Sequence, residues 1–382
     1  MKLLVVSHSS ATAMNQRVYA ELGRLTGWDI TLVIPRNWKD EFGRELDEAP
    51  LPALQGKVRT LPVAGNGSIV FHFYRSGLRR ILSAGAFDAI YVNHEPYALA
   101  TVQTALVNLL TGRAAIGFYS CQNLQKAYPP PFSWLERFVY RRCGFALPIT
   151  EEVAAVLRTK GFRGEITVCP LALDPELYHP RPQSEWPEPL RREGGVTLIG
   201  FAGRIIEAKG LRTLAAALGK IGDLRWSLAV IGAGEFEAQL KRLLEREGVW
   251  NRCVHIGFIA HEQTPRYLSA LDLLVLPSET QPNWKEQFGR VIPEALASGV
   301  AVVGSDSGEI PNLIRASGGG RVFPERDSTA LARELRELIT NAPVRQAHAI
   351  AGREWVLNKL AVQPVAANMA RAIEKAVNRR RG

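Results

Sequence analysis

The sequence predicts an α/β protein with two doubly wound domains, each built on a parallel sheet. Short unbroken apolar runs alternate with amphipathic helical stretches, as expected for strands that are covered by helices on both faces. The runs form two series, which a polar, proline-rich stretch from Asp174 to Gly195 separates. Two series of βα units with such a boundary predict two domains, and 382 residues are enough for both.

Ten strands are predicted from the apolar runs. The first series contains Leu3–Ser7, Asp29–Ile34, Ala89–Asn93, Ala115–Tyr119 and Phe145–Ile149. The second series contains Thr197–Ala202, Ser227–Ile231, Val254–Phe258, Leu273–Leu276 and Ala301–Gly304. Helical patterns lie between them, as in Phe236–Glu247 and Ser328–Thr340. Such sheets bind ligands outside the carboxyl ends of their strands, and we expect the ligand there, in a deep cleft between the domains.

Composition limits where the protein acts. The four cysteines show no CxxC spacing, which fits a reducing compartment. The apolar run before Ser7 is too short for a signal peptide, and the helical run Ala98–Leu110 is too short to cross a bilayer. We therefore expect a cytoplasmic protein without a transmembrane anchor.

Positive charge is concentrated in one part of the chain. The net charge is +10, and the segment from Lys57 to Arg142 holds ten basic residues against three acidic ones. Basic surfaces attract nucleic acid, anionic lipid or anionic substrates, but no nucleic-acid-reading motif is present. Solubility is one interpretation of this charge. The other is a peripheral contact with the inner face of an anionic membrane through Arg75, Arg79 and Arg80, with Arg75 and Arg79 on one helical face.

Two glutamates mark the most informative run, KEQFGRVIPEALASG from Lys285 to Gly299. The run predicts a loop with Glu286 that enters a helix with Glu294 in its first turns. Unpaired N–H groups at a helix start favour a diphosphate, and flanking carboxylates suit hydroxyl groups. A diphosphate between two hydroxyl-bearing groups describes a nucleotide-sugar. An ordinary amphipathic helix with solvated glutamates is the alternative interpretation.

A second anion site is predicted at the start of the second domain. The strand Thr197–Ala202 runs into Gly203-Arg204, and Lys209-Gly210 follows before a helix near Leu211. An arginine fork and a lysine point charge at a strand's carboxyl end suit a diphosphate, although two surface cations would have the same spacing.

These motifs together resemble family 4 retaining glycosyltransferases of the polysaccharide-assembly type, which have the GT-B fold. The resemblance rests on GR(x4)KG at Gly203–Gly210 and E-x-F-G-(x4)-E-A at Glu286–Ala295. Weaker matches lie at the glycine turn Gly232–Gly234, at VHIGFI from Val254 to Ile259, and at DLLVLPS, SDSGEIP and YPPPF. The first domain departs from the family, since it lacks a Gly-Gly pair after the first strand and a histidine after Ala115–Tyr119.

The resemblance implies roles for individual residues. Arg204 and Lys209 would hold the donor diphosphate, Glu286 the sugar hydroxyls and Glu294 the ribose. The full donor-binding set comprises Gly203, Arg204, Lys209, Gly234, Phe258, Ile259, Glu286, Phe288, Gly289, Arg290, Val291 and Glu294. Glu286 and His94, at the cleft edge after Ala89–Asn93, are the catalytic candidates, and a loop histidine without a role is the alternative for His94. The acceptor-side candidates are Ser10, Asn15, Gln122 and Asn123.

The resemblance also implies a domain division and a reaction. Residues 1–172 with 362–382 would form the acceptor-binding Rossmann-like domain, to which an amphipathic helix over Gln363–Val377 returns. Residues 173–361 would form the donor-binding domain. We expect a hexosyltransferase that retains anomeric configuration, needs no metal or cofactor, and moves a sugar from a nucleotide-diphosphate-sugar to a glycan or lipid-linked hydroxyl in surface polysaccharide biosynthesis. The alternatives are an NAD-dependent oxidoreductase and a non-catalytic protein that binds nucleotide-sugar or nucleic acid.

Overall fold

A computed structural model describes residues 1–39, 43–46, 50–112, 114–192 and 194–381. The contacts divide the chain into two compact units, one of Met1–Ala172 with the chain from Val362 onward, the other of Leu173–Ala361. Each unit has its own sheet and its own core. The predicted fold class is confirmed, since both large sheets are parallel and covered by helices.

The first unit contains a seven-stranded parallel sheet in the order β3-β2-β1-β6-β7-β8-β9. Its strands and a small antiparallel pair, β4-β5, are β1 (Lys2–Val6), β2 (Asp29–Pro35), β3 (Val58–Leu61), β4 (Val63–Ala64), β5 (Phe73–Tyr74), β6 (Ala89–Val92), β7 (Ala115–Ser120), β8 (Phe145–Pro148) and β9 (Glu165–Ile166). The chain order reverses between the neighbouring strands β1 and β6, which gives this sheet a topological switch point at its carboxyl edge. That edge is where doubly wound sheets bind ligands.

In the residues that the structure describes, six α-helices cover this sheet. They are α1 (Ala13–Thr26), α2 (Leu78–Gly85), α3 (Leu99–Thr111), α4 (Phe132–Arg142), α5 (Glu151–Thr159) and α13 (Val362–Arg381). The last helix packs on α1, because Val365, Met369, Ile373 and Val377 recur every four residues and are buried against Leu3 and its neighbours. The end of the chain thus completes the core of the first unit.

The second unit contains a six-stranded parallel sheet in the order β12-β11-β10-β13-β14-β15. Its strands are β10 (Thr197–Ala202), β11 (Trp226–Ile231), β12 (Cys253–Gly257), β13 (Leu273–Leu276), β14 (Ala301–Ser305) and β15 (Gly320–Phe323). Its helices are α6 (Leu211–Gly219), α7 (Glu237–Arg246), α8 (Thr264–Leu268), α9 (Val291–Ala297), α10 (Ile310–Ser317), α11 (Ser328–Thr340) and α12 (Ala342–Lys359). Here the order reverses between β10 and β13.

The ten predicted strands are confirmed within one or two residues at each end, but three strands of the large sheets were missed. These are β3, β9 and β15, and each lies at the edge of its sheet. Their residues are mostly half-buried, whereas central strands such as β10 are buried throughout. An edge strand lacks the unbroken apolar run that burial on both faces produces.

One local prediction in the basic segment is wrong. Helix α2 begins at Leu78 after Gly77, so Arg75 precedes the helix and does not share a helical face with Arg79. The side chain of Leu78, the first residue of this helix, is buried. A positive φ at Gly77 starts the helix there and not earlier.

Among the helices of the described residues, none combines the length and apolar character needed to cross a bilayer.

Candidate functional site

The loops after β10 and β13 approach closely at the carboxyl edge of the second sheet. Gly210 has φ +66°, and a Cβ at this position would lie 1.8 Å from the carbonyl oxygen of Pro277. Only glycine fits both the backbone conformation and the space. This contact brings the turn Glu207–Lys209 from the β10 loop beside the residues that follow β13.

Lys209 and Glu286 form an ion pair at this point. Lys209 Nζ lies 2.5 Å from Glu286 Oε2, and Ser278 Oγ donates to the same oxygen at 2.8 Å. The side chains are only 13% and 11% exposed, and Nζ lies 5.2 Å from the centre of the Trp284 ring. The structure therefore joins two residues to which sequence analysis assigned separate ligands, the diphosphate and the sugar.

The SDSGEIP segment, Ser305–Pro311, packs against the backbone of Glu286. Gly308 has φ +53°, and its missing Cβ would lie 1.9 Å from the Glu286 carbonyl oxygen. The N–H of Glu309 donates to that oxygen at 3.3 Å. The loop that carries the Glu286 carboxylate is thus held by contacts with two other loops. A binding site needs such support to position its groups precisely.

Glu294 lies in the first turn of α9, where the sequence predicts it, and is buried. Its Oε1 accepts from Arg290 Nε at 2.9 Å, and Arg290 Nη2 lies 2.8 Å from His261 Nε2. Burial lowers the pKa of His261, so the ring is neutral and accepts from the guanidinium. Burial, and then the nearby Glu294 carboxylate, raise the pKa of Tyr178. Arg290 belongs to the expected donor-binding set, whereas His261 and Tyr178 were not predicted from the sequence, because only folding brings them beside Glu294 and Arg290.

The other expected donor residues lie along the same edge. Gly203 and Arg204 follow β10, Gly234 follows β11, and Phe258 with Ile259 follow β12, all neighbours in the sheet. Arg204 is exposed, and the Phe258 side chain is 46% exposed. Phe288, Gly289, Arg290 and Val291 connect Glu286 to α9, and the Phe288 ring is buried. Phe288 therefore packs inside the unit, and its side chain is not presented to a ligand.

His94 does not lie at an open edge but inside a buried cluster in the first unit. Its Nδ1 lies 2.9 Å from His8 Nδ1, and the rings of His72 and Trp38 complete the cluster. Burial lowers the pKa of His94 well below its usual value and that of His8 to about 3, so both are neutral. Within the described residues His94 Nε2 has no hydrogen-bond partner. The cluster forms because β1 and β6 are neighbours and the loops after them meet, which a single motif does not reveal.

Ser10 and Asn15 support the loop after β1. Ser10 Oγ donates to Ser7 Oγ at 2.8 Å, and Asn15 Nδ2 donates to the carbonyl of Ser9 at 2.7 Å. Ser10 is buried, and its hydroxyl stabilises the conformation of the loop.

Glu95 connects the loops after β6 and β7. Its carboxylate accepts from Ser120 Oγ and from the N–H of Cys121, both at 2.7 Å. Burial, and then Glu95, raise the pKa of the Cys121 thiol, which disfavours the nucleophilic thiolate. Gln122 Nε2 lies 3.4 Å from the hydroxyl of Tyr128. Asn123, the last of the acceptor-side candidates, is buried.

Metal ligands are not grouped in the part of the chain that the structure describes. No three His, Cys, Asp or Glu side chains there are arranged to hold a metal ion.

Two family models match the two units separately. "Glycosyl transferase 4-like domain" matches residues 11–172, and "Glycosyl transferases group 1" matches residues 182–355. The second range contains the Lys209–Glu286 pair and Glu294.

Curated relatives and solved structures are similar to the chain as well. A 2-deoxystreptamine glucosyltransferase of Streptomyces kanamyceticus is 27% identical over 62% of this chain and 62% of its own length. The putative colanic acid biosynthesis glycosyltransferase WcaL of Escherichia coli is 26% identical over 65% of this chain and 60% of its own. The match thus spans about three fifths of the length of each of these two relatives. The crystal structure of Anabaena HepE in complex with UDP superposes on this chain with a TM-score of 0.75 at 18% identity. The superposition covers 98% of this chain and 100% of the HepE chain, which establishes a shared fold.

Proposed function

This chain belongs to the group 1 glycosyltransferases of the family 4 type, and from that premise we propose that it transfers a hexose from a nucleotide-diphosphate-sugar to a glycan or lipid-linked hydroxyl. We propose further that the anomeric configuration is retained and that neither metal nor cofactor is needed. The observation that carries this proposal is the buried Lys209–Glu286 pair on the same sheet edge as Arg204 and Glu294.

The ion pair is proposed as the resting state of the donor site. A diphosphate that enters beside Arg204 attracts the Lys209 ammonium, because two cations at a strand's carboxyl end match its charge. As Lys209 turns to the phosphate, the Glu286 carboxylate becomes an acceptor for the sugar hydroxyls. The same two cations then stabilise the charge that develops on the departing nucleotide diphosphate, which is the main catalytic effect proposed here.

The nucleoside is proposed to lie along the edge from β10 to β12. Glu294, held in place by Arg290, would accept hydrogen bonds from the ribose, with the base near Gly234, Phe258 and Ile259. UDP is a reasonable first nucleotide to test because a structural neighbour was crystallised with it. No protein nucleophile is assigned, since the leaving phosphate can guide the acceptor hydroxyl onto the same face of the sugar.

The first unit is proposed to bind the acceptor at the carboxyl edge of its sheet. The buried, neutral His94 would position the loops at this edge, with Gln122 and Asn123 on the next loop. A relative is named for colanic acid biosynthesis, which supports a surface polysaccharide as the product. A lipid-linked acceptor would place the protein peripherally at the inner face of an anionic membrane.

A nucleotide panel followed by an activity assay tests the proposal. Thermal shift with UDP, GDP and ADP should single out one nucleotide, and its sugar conjugates should then give a transfer product whose anomeric configuration NMR can assign. Glu286→Gln should abolish transfer, whereas Glu207→Gln, an exposed glutamate in the β10 loop, should not. Stabilisation by NAD(H) alone would favour the oxidoreductase, and nucleotide binding without any product would favour a binding protein.

A further inference from the structure

Helix α3 presents an apolar face to solvent. The helix contains no charged residue, and Leu106, Leu109 and Leu110 are 46%, 47% and 71% exposed. Their spacing of three and four residues places them on one side of the helix. Surface helices normally carry polar residues on this side, so a continuous exposed leucine face indicates a partner.

The apolar surface extends past the start of α3. Phe71 is 56% exposed, and the centre of its ring lies 5.7 Å from the centre of the Phe132 ring. Trp134, in the first turn of α4, is 63% exposed. The Phe71 segment is tied to α3, because the N–H of Leu99 donates to the carbonyl of Val70 at 2.9 Å. Of the ten large apolar side chains most exposed in the described residues, seven lie between Ile69 and Trp134. These residues lie on α3, on α4 and on the segment around β5, and α3 packs against both β5 and α4.

Arginines border this surface on both sides. Helix α3 packs against α2 on one side and α4 on the other. Arg79 and Arg80 are exposed on α2, and Arg137 and Arg141 are exposed on α4. The leucine face thus lies between two rows of cations.

The acidic residues of the same segment do not offset this charge at the surface. Glu95 is buried and accepts hydrogen bonds from Ser120 and Cys121. Glu136 is also buried, and its Oε1 lies 2.5 Å from Lys160 Nζ in an ion pair. Asp88 is half-buried, and its carboxylate accepts from the N–H of Lys2 at 2.8 Å. The segment from Lys57 to Arg142 therefore exposes mainly positive charge.

We propose that α2, α3 and α4 form a membrane-docking face that binds the surface of an anionic lipid bilayer. This inference rests on the proposed function, because a lipid-linked acceptor would lie in that bilayer. Leucines and Trp134 enter the boundary between headgroups and acyl chains while the flanking arginines pair with lipid phosphates. A second copy of this face fits poorly, since pairing would place arginine rows against each other. Bound nucleic acid would contact the arginines but would leave the leucines exposed to water, so it does not account for the apolar part of the surface.

Vesicle sedimentation tests the docking face. The full chain is mixed with vesicles of phosphatidylcholine alone or with an equal part of phosphatidylglycerol, at low and high salt. Binding should require phosphatidylglycerol and weaken with salt, because exposed charges are screened over about 8–10 Å at physiological ionic strength.

Two variants separate the apolar and charged contributions. The variant Leu106→Gln/Leu109→Gln/Leu110→Gln should lower affinity by about tenfold or more even at low salt, from the lost apolar burial. The variant Arg79→Glu/Arg80→Glu/Arg137→Glu/Arg141→Glu should lose the preference for phosphatidylglycerol. The matched controls are Ile350→Gln, which is 68% exposed in the second unit, and Arg242→Glu/Arg315→Glu, and both should bind as the unmodified chain does. The single variant Leu110→Gln, with a smaller effect in the same direction, covers the case in which a multiple variant folds poorly.

The outcomes also separate this inference from the proposed function. Binding of a nucleotide diphosphate, followed by calorimetry, should be the same in all these variants. Vesicle binding that is absent at low salt, or unchanged by the leucine variants, overturns the docking face but leaves the transferase proposal intact. A dimer in sedimentation velocity that the leucine variants make monomeric overturns it in favour of a second copy. Vesicle binding without nucleotide binding would instead remove the transferase proposal.

Discussion

Removing either partner of the Lys209–Glu286 pair should destabilise the second unit strongly, and removing both should cost less than the two single changes added together. Either single change leaves a charge in a site where the two side chains are only 13% and 11% exposed. An unpaired buried charge costs about 3–5 kcal/mol. We therefore expect Lys209→Met and Glu286→Gln to fall in this range. The double variant should cost less than their sum, with a coupling of about 1–3 kcal/mol.

Urea unfolding followed by tryptophan fluorescence measures this cycle. Because the chain has two units, their transitions are fitted separately, and the transition of the second unit is compared among variants. The control cycle uses Arg336 and Asp223 of the same unit, whose two hydrogen bonds are both 2.7 Å long but whose side chains are 43% and 60% exposed. Water screens that pair, so Arg336→Met and Asp223→Asn should couple much more weakly than the buried pair does.

The same variants test the resting-state argument through ligand binding. Glu286→Gln leaves the Lys209 charge uncompensated, so its affinity for a free nucleotide diphosphate should be kept or increased while transfer is lost. Lys209→Met should weaken that affinity by about 2–5 kcal/mol. The reasoning is refuted if the two single costs add within about 0.3–0.5 kcal/mol, or if Glu286→Gln weakens the free nucleotide as much as Lys209→Met does.

Four further outcomes are expected. Arg204→Ala should weaken nucleotide diphosphate binding by about 2–5 kcal/mol in calorimetry, yet change folding stability by less than about 0.5 kcal/mol because the side chain is exposed. Glu294→Gln should weaken free nucleotide and nucleotide-sugar alike, and a loss confined to the nucleotide-sugar would contradict its assignment to the ribose. Transfer should survive EDTA, and loss in chelator with recovery in magnesium would contradict metal independence. The folded pKa values of His8 and His94 lie below the unfolded value of about 6.5, so the folded state binds fewer protons and loses stability as pH falls below that value. In urea unfolding at several pH values, His94→Gln should reduce this slope, and an unchanged slope would show that the cluster does not titrate as described.

Much of the fold was predictable because central strands and amphipathic helices have local signatures. A strand buried on both faces must be apolar throughout, so β10 and β13 are visible as runs in the sequence. The edge strands β3, β9 and β15 were not predicted, because most of their residues are only half-buried and need not be apolar. The start of α2 was not predicted either, because the positive φ of Gly77 determines where the helix begins.

The candidate site was predictable in its members but not in their contacts. The motifs placed Arg204 and Lys209 after a strand, Glu286 in a loop and Glu294 near a helix start, and the structure has them there. The pairing of Lys209 with Glu286 joins residues 77 positions apart, which no motif spacing expresses. Two expected ligand-binding groups are therefore found neutralising each other.

The sequence by itself determined the order of the βα units and the chemical types of residue at each strand end, because these depend on near neighbours along the chain. Only the tertiary structure decided burial, pairing and protonation. His8, His72 and His94 come from separate segments and become neutral because strand order packs them together. In the same way, arginines from α2 and α4 border the leucines of α3 only because these helices are adjacent on the sheet. Such properties depend on the low dielectric and the neighbours that a residue acquires on folding, and these are set by residues distant in the sequence.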